Sequence, residues 1–298
     1  MTVSASAASA SSGPSTSAGS PRLLIAPDSF KEALAASDAA EAMARGVRRV
    51  LPEAQVDLCP LGDGGEGTLA ALLAAASEAD PIEARSAQVR DPLGRDVTAQ
   101  WGWQPGSRTA IVELAEASGL HLVSPDERDA RVADTHGVGE LILAALDAGA
   151  ERLIVTLGGS ATNDGGSGML RALGLRLLDA DGNELPAGGA ALARLASLDV
   201  SALDPRLADL KVSAAVDVDN PLCGPRGASA VFGPQKGADA AVVEELDAAL
   251  GHFARLSAEV LGADQQQLAG AGAAGGMGYA VAAWLNGELR PGIELVME

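Results

Sequence analysis

The sequence is poor in aromatic residues, cysteine and histidine, and each scarcity narrows the class of protein. Aromatic side chains make up 2% of the 298 residues, so a core would be built mainly from Ala, Val and Leu. The apolar content of 47% suits one large or two modest domains. The two cysteines form no C-x-x-C pair, which favours buried thiols in a reducing cytoplasm. The histidines are scattered, so a zinc site is not expected.

Positive charge is also scarce, and the net charge of -19 indicates what the chain does not bind. A large negative field repels phosphate backbones, so no nucleic-acid partner is expected. No uncharged apolar run reaches about 18 residues, so neither a transmembrane helix nor a membrane partner is expected. Residues 1–22 lack the basic start and apolar stretch of a signal peptide and are predicted to be a disordered tail. The predicted location is cytoplasmic.

Three familiar motifs are missing or out of context. The chain contains neither the P-loop pattern G-x-x-x-x-G-K-[ST] nor the hydrolase pattern G-x-S-x-G. The string GAGAAG at 270–275 matches the dinucleotide fingerprint G-x-G-x-x-G, but the polar GADQQQLA precedes it where a strand is required. A dinucleotide site is therefore disfavoured.

The hydrophobic pattern that is present predicts an α/β protein. The chain starts with a strand, LLIAP, and an amphipathic helix with Ser37 as its N-cap. A second strand, AQVDLCPL, and a second helix, LAALLAAA, follow. This strand-helix-strand-helix order is typical of a parallel sheet. IEARSAQVRD, VTAQWGWQ and TAIVELA then alternate apolar and polar residues, which indicates antiparallel strands. A strand at 153–157, a second at 211–222 and a long helix at 240–262 follow.

Four of the strands end in glycine, aspartate and hydroxyl residues, at 27–31, 61–68, 157–166 and 217–228. Ligands of α/β sheets bind at the carboxyl ends of strands, and N–H groups of glycine loops and helix N-termini hold phosphates. Carboxylates beside them favour Mg²⁺. Other interpretations stay open. The carboxylates could cap a helix or solvate turns, and the loop lysines could lie on the surface. The residues concerned are Asp63, Glu66, Asp164, Asp217, Asp219, Lys31 and Lys236.

Together, and in their order along the chain, nine strings resemble the bacterial glycerate kinase family, which is related to glycerate 2-kinases. They are APDSFKEALAA, PLGDGGEGT, DPLGR, VELAEASGL, GGSATNDGGSGMLRALG, DVDNPLCGPRGA, FGPQKGA, GAGAAGGMG and LRPGIELV. The resemblance runs from about Leu23 to the end. It implies transfer of the γ-phosphoryl group of ATP to a hydroxyl of D-glycerate with Mg²⁺, with 2-phosphoglycerate favoured over 3-phosphoglycerate as the product.

The resemblance also implies two domains. Residues 23–63 and 290–298 would belong to a Rossmann- or flavodoxin-like parallel α/β domain, into which a mixed-sheet α/β domain, 64–289, is inserted. A homodimer is compatible with this picture, although the sequence does not fix the oligomeric state.

Roles for single residues follow as a hypothesis. ATP would be bound by Gly158, Gly159, Ser160, Thr162, Asn163, Gly165 and Gly166, and Mg²⁺ by Asp164, Asp217 and Asp219. Asp63 would orient the glycerate hydroxyl or accept its proton, and Lys31 and Lys236 would offset charge in the transition state. The substrate would be bound by Asp28, Ser29, Arg90 and Arg95, with an arginine gripping its carboxylate in bidentate fashion.

The sequence departs from the family pattern at its carboxyl end. Family members continue past the point that matches GIELV, whereas this sequence stops after a strand-like run, so we expect the first domain to be incomplete. Two alternatives therefore stay open. One is a catalytically impaired nucleotide- or small-acid-binding protein of the same family. The other is a kinase or hydrolase that acts on a different small hydroxy acid.

Overall fold

The computed structural model describes residues 20–28, 30, 34–62, 64–76 and 81–296. The strands in this part are β1 (Arg22–Ile25), β2 (Gln55–Leu58), β3 (Glu83–Arg90), β4 (Asp96–Gln104), β5 (Thr109–Glu113), β6 (Arg152–Thr156), β7 (Arg176–Leu178), β8 (Ser197–Asp199), β9 (Lys211–Ala215) and β10 (Glu288–Arg290). The α-helices are α1 (Ala36–Val50), α2 (Thr68–Ala75), α3 (Leu114–Ser118), α4 (His136–Asp147), α5 (Ser167–Ala172), α6 (Ala228–Phe232), α7 (Ala240–Leu261), α8 (Ala273–Trp284) and α9 (Gly292–Val296).

A six-stranded mixed sheet organises most of the described chain, in the order β10-β9-β6-β5-β4-β3. The strands β10, β9, β6 and β5 run parallel, while β4 is antiparallel to both β5 and β3. The predicted α/β class is confirmed, and so is the antiparallel pairing of the three strands between residues 82 and 115. Because four neighbouring strands are parallel, their carboxyl ends meet at one edge of the sheet.

The start of the chain forms a separate two-stranded parallel sheet of β1 and β2. Ile25 and Val56 face α1 and pack against its buried alanines, Ala40 and Ala44. The predicted parallel pairing of these two strands is confirmed, and the division of the chain into two domains stays a prediction. The predicted tail lies mostly outside the described residues, but Arg22 already belongs to β1.

The main core is built largely from aliphatic side chains, as the shortage of aromatics predicts. Leu153 and Val155 of β6 and Leu141 of α4 are almost completely buried in it. Two of the few aromatic residues, Phe253 and Tyr279, meet edge to face with ring centroids 6.1 Å apart and join α7 to α8. Burial of this apolar surface fixes the sheet and therefore the position of the loops at its edge.

Two local predictions from the sequence are wrong. The GIELV run is not a strand: Gly292–Val296 form the short helix α9 directly after β10 and Pro291. Ser37 is not an N-cap, because α1 begins at Ala36 and its capping residue, Ala35, has no side-chain hydrogen bond. Separately, no helix in the described part of the chain is long and apolar enough to span a bilayer.

Candidate active site

Two glycine-rich loops meet at the carboxyl edge of the large sheet. One consists of Gly64–Thr68 and the other follows β6. Gly158 donates its backbone N–H to the Gly64 carbonyl over 3.2 Å. A Cβ on Gly158 would lie only 2.4 Å from Gly65 Cα, so glycine is required there by the close approach of the two chains.

The first loop also reaches the ends of β9 and β10. A Cβ built on Gly64 would lie 2.6 Å from the Cβ of Ala215 and 3.3 Å from Gly292 Cα. The loop therefore lies across the carboxyl ends of several parallel strands, where α/β proteins bind ligands. Thr68 closes it internally, because its hydroxyl accepts from Gly64 N at 3.1 Å and donates to the Gly65 carbonyl at 2.9 Å.

Only the beginning of the loop after β6 faces the exterior. Gly158 is half-buried, Gly159 is exposed, and Ser160 keeps 7% of its surface. Within the described part of the chain, the backbone N–H groups of Gly159 and Ser160 donate to no acceptor. Gly159 has φ +73°, a conformation that favours glycine. These two N–H groups form the part of the loop that is able to bind an anion.

The second half of the predicted phosphate loop is enclosed by protein. Thr162 and Asn163 have no exposed surface, and Gly165 and Gly166 are buried. The Asn163 amide donates to Ser229 Oγ at 2.9 Å. This burial is a structural argument against the predicted phosphate contacts of these four residues, because an ATP phosphate has no surface on which to reach them.

The glycine string at 270–275 explains this enclosure. Gly275 accepts from Gly165 N through its carbonyl at 2.9 Å, and a Cβ on Gly275 would lie 2.0 Å from the Thr162 carbonyl. Gly275 has φ +69°, so two reasons require glycine at this position. The string therefore packs the loop after β6 from below, a role that motif matching did not find.

Asp164 has the surroundings of a structural carboxylate. Its Oδ2 accepts from Thr135 N at 3.0 Å, Thr135 Oγ1 at 2.7 Å and Gly168 N at 3.0 Å, while Oδ1 accepts from Gly166 N at 3.1 Å. Burial raises the pKa of Asp164 to about 6, with a further contribution from the Asp134 carboxylate. Four protein donors already occupy this fully buried group, so the geometry does not support the predicted metal ligand.

Lys236 lies beneath the loop that follows β6. Its side chain is 1% exposed, and Nζ donates to Ser160 Oγ at 2.7 Å and to the Thr162 carbonyl at 2.6 Å. Burial lowers the pKa of Lys236 to about 7, partly offset by the Asp164 carboxylate. The ammonium group thus ties the exposed start of the loop to its buried part.

Asp217 and Asp219 lie after β9 and line a surface cavity of about 500 Å³ together with Val216, Asn220 and Pro291. Asp217 Oδ1 accepts from Gly292 N at 3.0 Å, and Asp219 pairs with Arg226 at 2.8 Å on the surface. No group of three or more metal-binding side chains occurs among the described residues. Kinases bind Mg²⁺ through one or two carboxylates plus substrate phosphates, and two neighbouring aspartates fit that donor set.

The two predicted substrate arginines lie at the end of the β3-β4 hairpin and are already paired. Ala84 of β3 and Ile111 of β5 both lie opposite Gly102 of β4. From this level β3 continues to Arg90, whereas β5 ends at Glu113, so β3 extends well beyond the end of β5. Arg95 donates from all three guanidinium nitrogens, to Asp91, Glu127 and the Leu122 carbonyl. Arg90 pairs with Asp96 at 3.0 Å. The geometry therefore gives no support to a carboxylate clamp at either arginine.

Three predicted residues, Ser29, Lys31 and Asp63, lie outside the described residues. Asp28 follows β1 and takes part in an interaction within the protein. The carbonyl of the preceding Pro27 accepts from Leu61 N at 2.9 Å. Asp28 therefore lies beside the segment that leads into the first glycine loop.

Glu113, at the end of β5, is a residue of this edge to which the sequence analysis gave no role. It is 3% exposed and accepts from Gly67 N at 2.7 Å and Leu69 N at 3.0 Å. Burial raises the pKa of Glu113 to about 7, and the two backbone N–H groups limit the rise. The available signal was a carboxylate within a predicted strand, in VELAEASGL. That strand was predicted to be antiparallel, whereas β5 also pairs in parallel with β6.

The fold and these loops define an α/β protein with glycine-rich loops at the carboxyl ends of parallel strands, the edge at which proteins of this class bind ligands. Sequence comparison then narrows this class. The chain belongs to the glycerate kinase family, whose sequence profile matches residues 23–298.

Individual relatives agree with that assignment. The protein from Bacillus subtilis (strain 168) named glycerate kinase is 52% identical over 279 residues, which cover 93% of this chain and 72% of the relative. The Escherichia coli (strain K12) protein named glycerate 2-kinase is 50% identical over 275 residues, which cover 92% of this chain and 71% of the relative. A crystal structure from Salmonella typhimurium LT2, provisionally named glycerate kinase 2, matches with a TM-score of 0.82 at 49% identity. The match covers 93% of this chain and 73% of that one.

Proposed function

We propose that this protein is an ATP-dependent glycerate kinase that transfers the γ-phosphoryl group of ATP to a hydroxyl of D-glycerate. Family membership and the names of relatives that are about half identical to it support the reaction class. The observation that carries the proposal is the exposed turn Gly158–Ser160. Two of its N–H groups lack acceptors in the described chain and point to an anion ligand at the carboxyl edge of the sheet.

In this proposal the phosphates of ATP bind at Gly158, Gly159 and Ser160 rather than along the whole loop. Ser160 adds its hydroxyl, which Lys236 holds in place from below. The buried residues Thr162 to Gly166 act indirectly, by fixing the backbone of the exposed turn. Asp164 belongs to this support because its carboxylate bonds the start of α5 to Thr135.

The proposed Mg²⁺ site uses Asp217 and Asp219, which follow β9, the parallel neighbour of the strand that leads into the exposed turn. Bound Mg²⁺ would neutralise charge on the phosphate oxygens during transfer. Ionised carboxylates supply hard oxygen ligands, and Asp217 is oriented by the Gly292 N–H. This assignment needs no third protein carboxylate.

The acceptor side of the proposal relies on the family resemblance. Asp63 precedes the first glycine loop and would accept the proton of the attacking hydroxyl, while Lys31 would offset charge on the transferred group. Asp28 and Ser29 would bind glycerate. The product favoured by the similarity to a protein named glycerate 2-kinase is 2-phosphoglycerate. A cytoplasmic location and a homodimer stay predictions.

Phosphorus NMR of the reaction mixture tests the proposal, with ATP, Mg²⁺ and D-glycerate as reactants. The expected result is a phosphate monoester with the chemical shift and proton coupling of 2-phosphoglycerate, formed together with ADP. Formation of 3-phosphoglycerate would overturn the assigned position alone. Efficient phosphorylation of another small hydroxy acid, with D-glycerate left unreacted, would overturn the substrate.

A further inference from the structure

Glu113 makes two hydrogen bonds to one loop through its two carboxylate oxygens. Oε1 accepts from Gly67 N at 2.7 Å, and Oε2 accepts from Leu69 N at 3.0 Å, in the first turn of α2. Gly67 precedes α2 and caps it with no side chain of its own, so Glu113 supplies the acceptor that the helix start lacks. A carboxylate on β5 thereby fixes a loop 46 residues away in sequence.

Burial of this carboxylate costs free energy, which a contact with a purely structural role would have little reason to incur. Glu113 is 3% exposed at the end of a strand whose five residues are all buried. Burying a charge in such a place is unfavourable unless hydrogen bonds compensate it. These two hydrogen bonds of Glu113 go to the loop Gly64–Thr68 and to the start of α2, so the buried charge secures the orientation of that loop.

The anchored loop is in direct contact with the proposed phosphate site. Gly64 accepts from Gly158 N, and Glu66 Oε2 would lie 3.4 Å from a Cβ on Gly159. The same loop follows directly after position 63. Any movement of this loop would therefore shift both the phosphate turn and the segment that carries the proposed base.

We infer that Glu113 is a positioning residue for phosphoryl transfer: its carboxylate holds the loop Gly64–Thr68 against the exposed turn Gly158–Ser160 in the arrangement that the reaction uses. The inference rests on the kinase activity proposed above. Glu113 itself touches neither ATP nor glycerate in this account.

The surroundings of Glu113 make this anchor sensitive to pH. Glu66 of the loop, Glu116 of α3 and His121 of the following turn line the same cavity of about 230 Å³. Burial raises the pKa of Glu113 to about 7, and the carboxylates of Glu116 and Glu66 add to the rise. Protonation converts one acceptor oxygen into a hydroxyl, so one of the two loop N–H groups loses its partner.

The test compares wild type with Glu113→Gln and a matched control, Glu116→Gln. Glutamine is nearly isosteric but replaces one acceptor with an NH₂ group. We expect kcat of Glu113→Gln to fall about 10- to 100-fold, the equivalent of one lost hydrogen bond to a charged group, with the KM for D-glycerate little changed. Glu116 lies in the same cavity but accepts from Gln100 N, so its variant should keep the wild-type kcat at pH values above the acid limb.

The pH profile separates positioning from simple loss of stability. The wild-type kcat should rise through about pH 7 as Glu113 ionises. This acid limb should move to lower pH in Glu116→Gln, since a nearby negative charge is removed, and should be missing in Glu113→Gln. Glu113→Asp, with a shorter carboxylate, should keep an acid limb at reduced kcat. It serves as the second variant if the glutamine variant does not fold.

Hydrogen exchange gives a readout that does not depend on turnover. In wild type, protection of the Gly67 and Leu69 amides should fall below about pH 7, and in Glu113→Gln it should be low throughout. A Glu113→Gln variant with wild-type kcat and an unchanged acid limb would overturn the inference while leaving the kinase activity intact. A folded wild type without glycerate-dependent turnover would instead overturn the proposed function, and this inference with it.

Discussion

Replacing Gly158 with alanine tests whether the two glycine loops form one site. A Cβ at this position would lie 2.4 Å from Gly65 Cα and 3.3 Å from Glu66 N, both backbone atoms. Ordinary van der Waals contact starts near 3.4 Å, so the loops must move apart by about 1 Å. No flexible side chain is available to give way at this contact.

The size of the effect follows from that displacement. Overpacking against backbone costs about 1–3 kcal/mol, and loss of the 3.2 Å bond from Gly158 to Gly64 adds about 1 kcal/mol. We therefore expect the free energy of unfolding to fall by about 2–4 kcal/mol. A misplacement of about 1 Å around reacting groups also lowers kcat by about 100-fold.

Urea unfolding and steady-state kinetics measure the two effects. Gly251→Ala is the matched control. Gly251 lies within α7, and the nearest atom to a Cβ built on it is Cys223 Sγ at 3.7 Å. Alanine there should raise the free energy of unfolding by about 0.5–1 kcal/mol and leave kcat unchanged. If Gly158→Ala unfolds at the wild-type urea concentration and keeps its kcat, the contact between the loops is not part of the site.

Four further predictions concern three charged residues, Lys236, Asp164 and Arg95. Because the pKa of Lys236 is lowered from 10.5 to about 7, the folded state binds fewer protons than the unfolded state between these values. The wild-type free energy of unfolding should therefore rise by up to about 1.4 kcal/mol per pH unit above pH 7, a rise that urea titrations should not find in Lys236→Met. The raised pKa of Asp164 has the opposite consequence: wild type should gain stability relative to Asp164→Asn as the pH falls from about 6 towards 3.8. The Mg²⁺ concentration for half-maximal rate should be the same in Asp164→Asn as in wild type, and a large increase would restore the metal role predicted from sequence. Finally, Arg95→Gln should leave the KM for D-glycerate within about twofold of wild type, since all three nitrogens of Arg95 have protein acceptors; a rise of about 100-fold would show a carboxylate clamp.

The sequence was sufficient to predict the elements that place the site. Alternating patterns gave the antiparallel strands β3 and β4, and an apolar run followed by glycines gave β6 and its loop, because burial on one or both faces leaves a periodic signal. The prediction of a strand at GIELV failed because such a short segment leaves no periodic signal. A five-residue segment with three apolar side chains is compatible with either a strand or a helix, and here it follows Pro291, which favours the start of a helix.

Which residues of the loop after β6 are accessible to a ligand could not be predicted from sequence. Its motif contains seven residues that suit a phosphate chemically, but only Gly158 and Gly159 are not buried, and Ser160 beside them keeps 7% of its surface. Whether a polar residue faces solvent depends on what packs over it, and Gly189 and Gly275 come from segments far along the chain. Glu113 was missed for the same reason, since its partners, Gly67 and Leu69, are distant in sequence.

An ADP-release assay tests the central claim most directly. The chain is supplied with ATP and Mg²⁺, and D-glycerate is added or withheld. The account predicts ADP release that requires D-glycerate, saturates with its concentration and falls sharply in Gly158→Ala. A folded chain whose ADP release does not respond to D-glycerate at any ATP and Mg²⁺ concentration would contradict it.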